Sequence, residues 1–247
     1  MKEFFRHESS RFPLALSSGG IIHTCSKSDL LNCMTESMTS SPDHQCESPR
    51  SYDFVVLDGG NLIHSLSVGS MKGRSFGDFF SKVFLPRIIH ECEAASRVDV
   101  VFDRYLPMSI KQCTRERRGE SARQRVTGTA KAPGDWQKFL LNSDNKSELF
   151  NFLANMLVLQ KFPDKNVYVT DSESVKHVGE GIPMEKCNHE EADTRIVVHL
   201  LHALQTQSVG LVRTGDTDVV VILLTHFHTL IAANPAADIW IAFHAGK

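Results

Sequence analysis

Short apolar runs rich in β-branched residues recur from residue 53 onward: Phe54–Leu57, Val98–Phe102, Val167–Thr170, Gly210–Arg213 and Ile239–Phe243. Runs of this length, bounded by turn residues, read as buried strands. Helical spacing fills the intervals. Phe76, Phe79, Phe80, Val83 and Phe84 open a helix over 76–94 with a bend expected at Pro86, and Glu148–Lys161 resumes the same period. Asn188-His189-Glu190-Glu191 has the form of an N-cap with an acid at N3, ahead of the stripe Ile196, Val197, Leu200, Leu201 and Leu204. Val219–Leu224 fits helix or strand equally well by period. Strands alternating with helices predict an α/β fold with a mainly parallel central sheet and helices on both faces. Residues 1–50 hold ten serines and no sustained period. They are expected to be a flexible N-terminal segment with one short helix at Ser28–Met34, leaving a single domain over 51–247.

Composition narrows the classes. With 41% hydrophobic and 23% charged residues, the chain has the balance of a soluble globular protein. No apolar run reaches the ~18 residues of a membrane span, and the first residues lack a secretory apolar core. An intracellular protein, in nucleus or cytoplasm, is therefore expected, with no membrane partner. The six cysteines form no C-x-x-C pair, which argues against a zinc ribbon or a disulfide framework. Close His/Cys pairs such as His226-Phe-His228 and Cys187-Asn-His189 do not have a common zinc spacing. The net charge of −2 hides an asymmetry. Arg104 to Lys131 carries eight basic residues against two acidic ones, leaving 19 basic against 27 acidic elsewhere. A basic island in an acidic body points to a polyanionic partner such as nucleic acid.

The candidate chemistry lies in acids at strand ends. Asp58 closes the first strand, Asp103 the second, and Asp216 and Asp218 follow the fourth. Glu190, Glu191 and Asp193 fall in the first turn of the helix before that fourth strand. Ligands of parallel α/β sheets bind beyond the carboxyl ends of the strands, so five to seven carboxylates are expected on one edge. Carboxylates crowded together raise one another's pKa or take up cations. Hard divalent ions suit oxygen ligands, and two such ions ~4 Å apart assist phosphodiester hydrolysis. Each acid alone also has a plainer role, as turn former, N-cap or partner of a helix dipole.

The ordered series VVLDGGNLI, VVFDRYLPMSIKQCTRERR, EEADTR and RTGDTDVVV, from Tyr52 to Leu224, resembles the motifs of flap endonucleases and their PIN-like relatives. It is most similar to a group of uncharacterised animal proteins with HEEADTR and DTDVVV motifs. The resemblance implies a three-layer PIN-like domain and a Mg²⁺- or Mn²⁺-dependent nuclease holding two ions. Asp58, Asp103, Glu191, Asp193, Asp216 and Asp218 would be the metal ligands. It further implies that Lys111, Arg115, Arg117 and Arg118, on an arch after the V-F-D motif, clamp the scissile phosphate of DNA or RNA, water being the nucleophile.

The chain departs from flap endonucleases in two respects. No Gly-x-Asp follows the acid-x-acid pair, since Asp238 sits in AADIW, and no helix-hairpin-helix module follows the core. A C-terminally truncated domain is the expectation from that comparison. The rival function is a degenerate PIN-like module that binds nucleic acid or protein without cutting. Asp216-x-Asp218 also has the form of a phosphatase Asp-x-Asp motif, but such motifs usually open their domain. Trp136 and Phe139 fit core packing better than base stacking.

Overall fold

The structure is a computed structural model that describes residues 12–13, 16–24, 26–39, 51–66, 73–106 and 121–243. Two compact units divide it, Met1–Glu47 and Ser48–Lys247.

In the first unit, β1 (Ser17–Ser18) and β2 (Ile21–Ile22) pair antiparallel around Gly19 and Gly20. Both glycines have positive φ, as a tight hairpin turn requires. Helix α1 (Lys27–Thr39) follows, longer at both ends than the expected Ser28–Met34.

The second unit holds a six-stranded sheet in the order β6-β5-β4-β3-β7-β8. Its strands are β3 (Phe54–Asp58), β4 (Arg97–Val101), β5 (Asn166–Asp171), β6 (Ser174–Val178), β7 (Val209–Thr214) and β8 (Asp238–Phe243). All neighbours pair parallel except β5 and β6. The five expected strands therefore appear in an α/β fold with a mainly parallel sheet. The sixth, β6, returns antiparallel after a two-residue turn in which Ser172 adopts φ 55°. Its sequence SVKHV is half-buried throughout, so it carries no clear apolar run.

Helices cover both faces. On one face lie α2 (Gly59–Ser65), α3 (Phe76–Phe79), a π-helical turn at Phe80–Phe84, α4 (Leu85–Ala94), α5 (Trp136–Leu141) and α6 (Ser143–Leu157). On the other lie α7 (Ala192–Ala203), α8 (Thr217–Thr225) and α9 (Phe227–Ala233). Strand alternation sorts β3 between them: Val55 and Leu57 face the first layer, Phe54 and Val56 the second. Val219–Leu224 thus resolves as helix.

The expected bend at Pro86 takes the form of that π turn. Proline has no N–H and its ring collides with the carbonyl four residues back. The wider turn accommodates it, and the Leu85 N–H reaches the Phe80 carbonyl, five residues away. Trp136 and Phe139 are core residues, with rings packed against Phe76 and Phe79.

One polar group interrupts the second core. Arg97 and Asp99 are two apart on β4, so both point toward α7. Arg97 donates from Nε and Nη2 to the two oxygens of Asp99 at 2.7 Å each. Asp99 Oδ2 also meets His199 Nδ1 at 2.6 Å, and Arg97 Nη1 meets His202 Nδ1 at 2.9 Å. Burial pushes the Asp99 carboxyl upward, but the charge and hydrogen bonds of Arg97, with His199, outweigh it and hold it below its ordinary value. Arg97→Leu strands Asp99 in the core, and a loss of roughly 3–5 kcal/mol of unfolding free energy is expected by denaturant titration. A change under about 0.5 kcal/mol, the size seen at plain surface positions, would show that the pair holds nothing in register.

Candidate metal centre

The sheet order changes direction at β3: the chain moves outward to β4 and β5, then returns to the other side of β3 with β7 and β8. A crevice opens at such a switch point, beyond the carboxyl ends of the flanking strands. Asp58 ends β3, Asp103 follows β4, and Asp216 follows β7.

Three of these acids have the plainer role of capping a helix. Asp58 is the N-cap of α2, and its Oδ1 accepts from the Asn61 N–H at 3.0 Å. Asp216 is the N-cap of α8, accepting from the Asp218 N–H at 2.9 Å. Asp103 takes the Ala192 N–H at 2.8 Å, a cap delivered to α7 from another strand. Caps satisfy orphan helix donors. They also fix where each carboxylate points, and an ionised carboxylate keeps lone pairs beyond the bonds it already accepts.

The start of α7 differs from its sequence reading. The helix begins at Ala192 with Glu191 as N-cap and no side-chain capping bond. Asn188 is not the cap, and Glu190 and Glu191 lie before the first turn, which contains Asp193 alone among the three acids. The local signal was overridden by tertiary bonds. Arg104 Nη2 pairs with Glu173 at 2.7 Å, its Nη1 contacts the Asn188 carbonyl, and its N–H donates to the Glu190 carbonyl at 2.7 Å. The two contacts to the Asn188 and Glu190 carbonyls keep 188–190 outside the helix, and Asp103 supplies the cap.

Thr214 was not singled out in the sequence, yet it ties the site together. Its buried hydroxyl donates to Asp58 Oδ2 at 3.0 Å and accepts the Asp216 N–H at 3.0 Å. The Asp58 carboxylate and the Asp216 backbone are therefore joined through one hydroxyl. Tyr105 was also missed: its hydroxyl donates to Asp103 Oδ2 at 3.0 Å. A Thr two residues before an Asp, or a Tyr two after one, has no spacing rule that marks it in advance.

Carboxylate oxygens of Asp193, Asp216 and Asp218 lie within 4.8 Å of one another, the one such group of possible ligands among the described residues. Asp193 is the most telling member. It is half-buried, and among the described residues its carboxyl accepts no hydrogen bond. Burial first, then the charges of Asp216, Asp103, Asp58 and Glu191, push it up to about 7. Burial also raises Asp58, against the bonds from Asn61 and Thr214, with Asp103 and Asp216 adding to the rise. Asp58, Asp103, Glu191, Asp193 and Asp216 are thus one electrostatic group, with Asp218 joined to it through the close triad. A divalent cation fits this donor set, because it replaces mutual repulsion with attraction and asks only for oxygen ligands.

Other candidates lie elsewhere. Asp238 begins β8 opposite Val209, at the amino edge of the sheet, so it cannot supply the distal Asp. His226 Nδ1 sits 2.9 Å from the Ile222 carbonyl, as part of a helix end. Lys111, Arg115, Arg117 and Arg118 lie outside the described residues. Arg123, the next basic residue, pairs with Glu148.

Two consequences can be measured. A carboxyl raised in the fold stays protonated while its unfolded counterpart ionises. The metal-free protein should therefore lose stability as pH rises from about 4 to about 7. Asp193→Asn should flatten that fall and raise the melting temperature at pH 8; an unchanged pH profile would show that Asp193 is not strained. Separately, an added Cβ at Gly59 would overlap the Phe102 ring and the Val101 carbonyl. Gly59→Ala should cost about 1–3 kcal/mol by denaturant titration, unlike an ordinary helix Gly→Ala change.

In comparisons with known proteins, the chain matches no protein-family model and no curated protein.

Proposed function

We propose that this chain is a PIN-like, flap-endonuclease-like nuclease domain that hydrolyses phosphodiester bonds of nucleic acid with Mg²⁺ or Mn²⁺. The observation that carries the reading is Asp193, a half-buried carboxyl with no hydrogen bond among the described residues, facing Asp58, Asp103, Glu191 and Asp216. A structural role leaves that placement without a stabilising partner, whereas a divalent cation supplies one. The residues that would hold the ions are Asp58, Asp103, Glu191, Asp193, Asp216 and Asp218. When bound there, divalent ions would supply Lewis-acid stabilisation of phosphate oxygens.

The chain's own residues have distinct tasks. Asp193, Asp216 and Asp218 present the converging oxygens. Thr214 keeps Asp58 and Asp216 in register, and Tyr105 and the Ala192 N–H orient Asp103. By resemblance, Lys111, Arg115, Arg117 and Arg118 neutralise the phosphate undergoing cleavage.

A second reading, a binding module without cleavage, draws on one observation: Asp238 stands at the far edge of the sheet, so the distal Asp of flap endonucleases has no counterpart among the described residues.

Calorimetric titration with Mn²⁺ and incubation with single-stranded and flapped DNA and RNA separate these readings. A nuclease binds the ion and cuts at least one substrate, and both properties disappear in Asp193→Asn and Asp216→Asn. Ion binding without cutting favours the module, and no ion binding removes both the metal and the nuclease. Thr214→Val should lower cleavage or ion affinity about 10–100-fold while the fold persists. Turnover of a small phosphate ester abolished by Asp216→Asn but not Asp58→Asn would instead indicate a phosphatase.

A further inference from the structure

Arg195, on α7, is only 1% exposed, yet its hydrogen bonding is incomplete. Nη1 donates to the Phe102 carbonyl at 3.3 Å, whereas Nε and Nη2 are buried and meet no oxygen or nitrogen acceptor among the described residues. Those two N–H groups lie on one side of the guanidinium, the side with which Arg97 holds both oxygens of Asp99. A buried cation without an acceptor is costly, so this side is a place where an acceptor would be held. Of the ionisable groups around it, the Cys187 thiol interacts with Arg195 most strongly, ahead of Arg104 and Asp103. Cys187 is a free, buried cysteine in the irregular segment between β6 and α7. A thiol sulfur is a weak acceptor and leaves the guanidinium unsatisfied. Arg104 is already paired with Glu173, and Arg195 is the cation here with no ion pair among the described residues.

We propose that Cys187 is a redox modification site, oxidised by a hydroperoxide to a sulfenic acid whose oxygen is received by Nε and Nη2 of Arg195. The sulfur attacks the distal oxygen of ROOH; an S–O bond forms as the O–O bond breaks. Sulfur loses two electrons, the peroxide is reduced to ROH, and the thiol proton goes to the departing oxygen. A thiol reductant then forms a mixed disulfide with release of water, and a second reductant molecule restores the cysteine. A cation beside the sulfur favours the first step, because charge develops there as the proton leaves. The other described cysteines differ. Cys92 lies in the apolar core, where burial pushes its thiol up to about 11, and Cys33 is exposed on α1. The added oxygen enters the junction at which Arg195 binds the Phe102 carbonyl and Arg104 binds the Asn188 and Glu190 carbonyls. The proposal is independent of the metal and nuclease readings.

The experiment uses the full chain, reduced and metal-free, exposed briefly to hydrogen peroxide. The reaction is stopped with catalase and the protein unfolded in urea containing dimedone and iodoacetamide, which mark sulfenic acids and remaining thiols. Peptide mass spectrometry then reads each of the six cysteines. The dimedone adduct should appear on Cys187 at least ~10-fold ahead of Cys33 and Cys92, and a thiol reductant added before dimedone should remove it. Arg195→Lys keeps a charge but loses the paired N–H groups, and it should cut the Cys187 adduct about 5-fold or more. Wild type unfolded in urea before the peroxide is the second arm, needing no folded variant: there the lead of Cys187 should vanish. Labelling led by Cys33, or no adduct on any cysteine, overturns the site. So does a Cys187 lead that persists in urea, or one undiminished in Arg195→Lys with native circular dichroism.

Discussion

Carboxylates converge here because parallel strands end at a common level. β3, β4 and β7 are adjacent and parallel, so whatever follows each of them is delivered to one crevice. The constraint is electrostatic: like charges in a partly desolvated crevice oppose one another, and the fold must hold them there. It does so with groups already needed for folding. The Asn61, Ala192 and Asp218 N–H groups of three helix starts and the Thr214 hydroxyl bind the acids, so the residual strain collects on Asp193.

This makes capping and ligand geometry two aspects of one arrangement. A capping carboxylate is oriented by backbone N–H groups, which cannot swing away as a side-chain partner can. The positive ends of α2, α7 and α8 partly offset the negative charge and help to keep it in place. The cap of α7 comes from Asp103 across the crevice, so the helix that presents Asp193 is anchored to the strand that presents Asp103. Arg195 adds to that anchor by donating from the same helix to the Phe102 carbonyl at 3.3 Å.

The opposite edge of the sheet is built for rigidity. Arg97, Asp99 and His199 form a paired polar group within the apolar layer under α7. Such groups contribute little net stability compared with apolar packing, but a one-turn slip of α7 would leave them unpaired. Holding α7 in register at that end holds Asp193 in register at the other. The candidate metal centre and the buried polar group thus lie at the two ends of one helix.

The interior strands β3, β4, β5 and β7, the phenylalanine-rich helix and the strand-end position of the acids were legible in the chain, because burial on both faces leaves continuous apolar runs and because parallel topology determines which ends meet; the edge strand β8 was legible from its apolar run alone. The edge strand β6 was not, since a half-buried strand with a Ser-Glu turn carries neither a run nor a strong turn signal. Asn188 matched the local pattern of a cap, yet α7 begins four residues later, because bonds from Arg104 and Asp103, some ninety residues earlier in the chain, outweigh a local preference. Which acids are strained, and that Thr214 and Tyr105 hold them, depends on distances across the crevice. Those distances are properties of packing between remote segments, and no spacing along the chain encodes them.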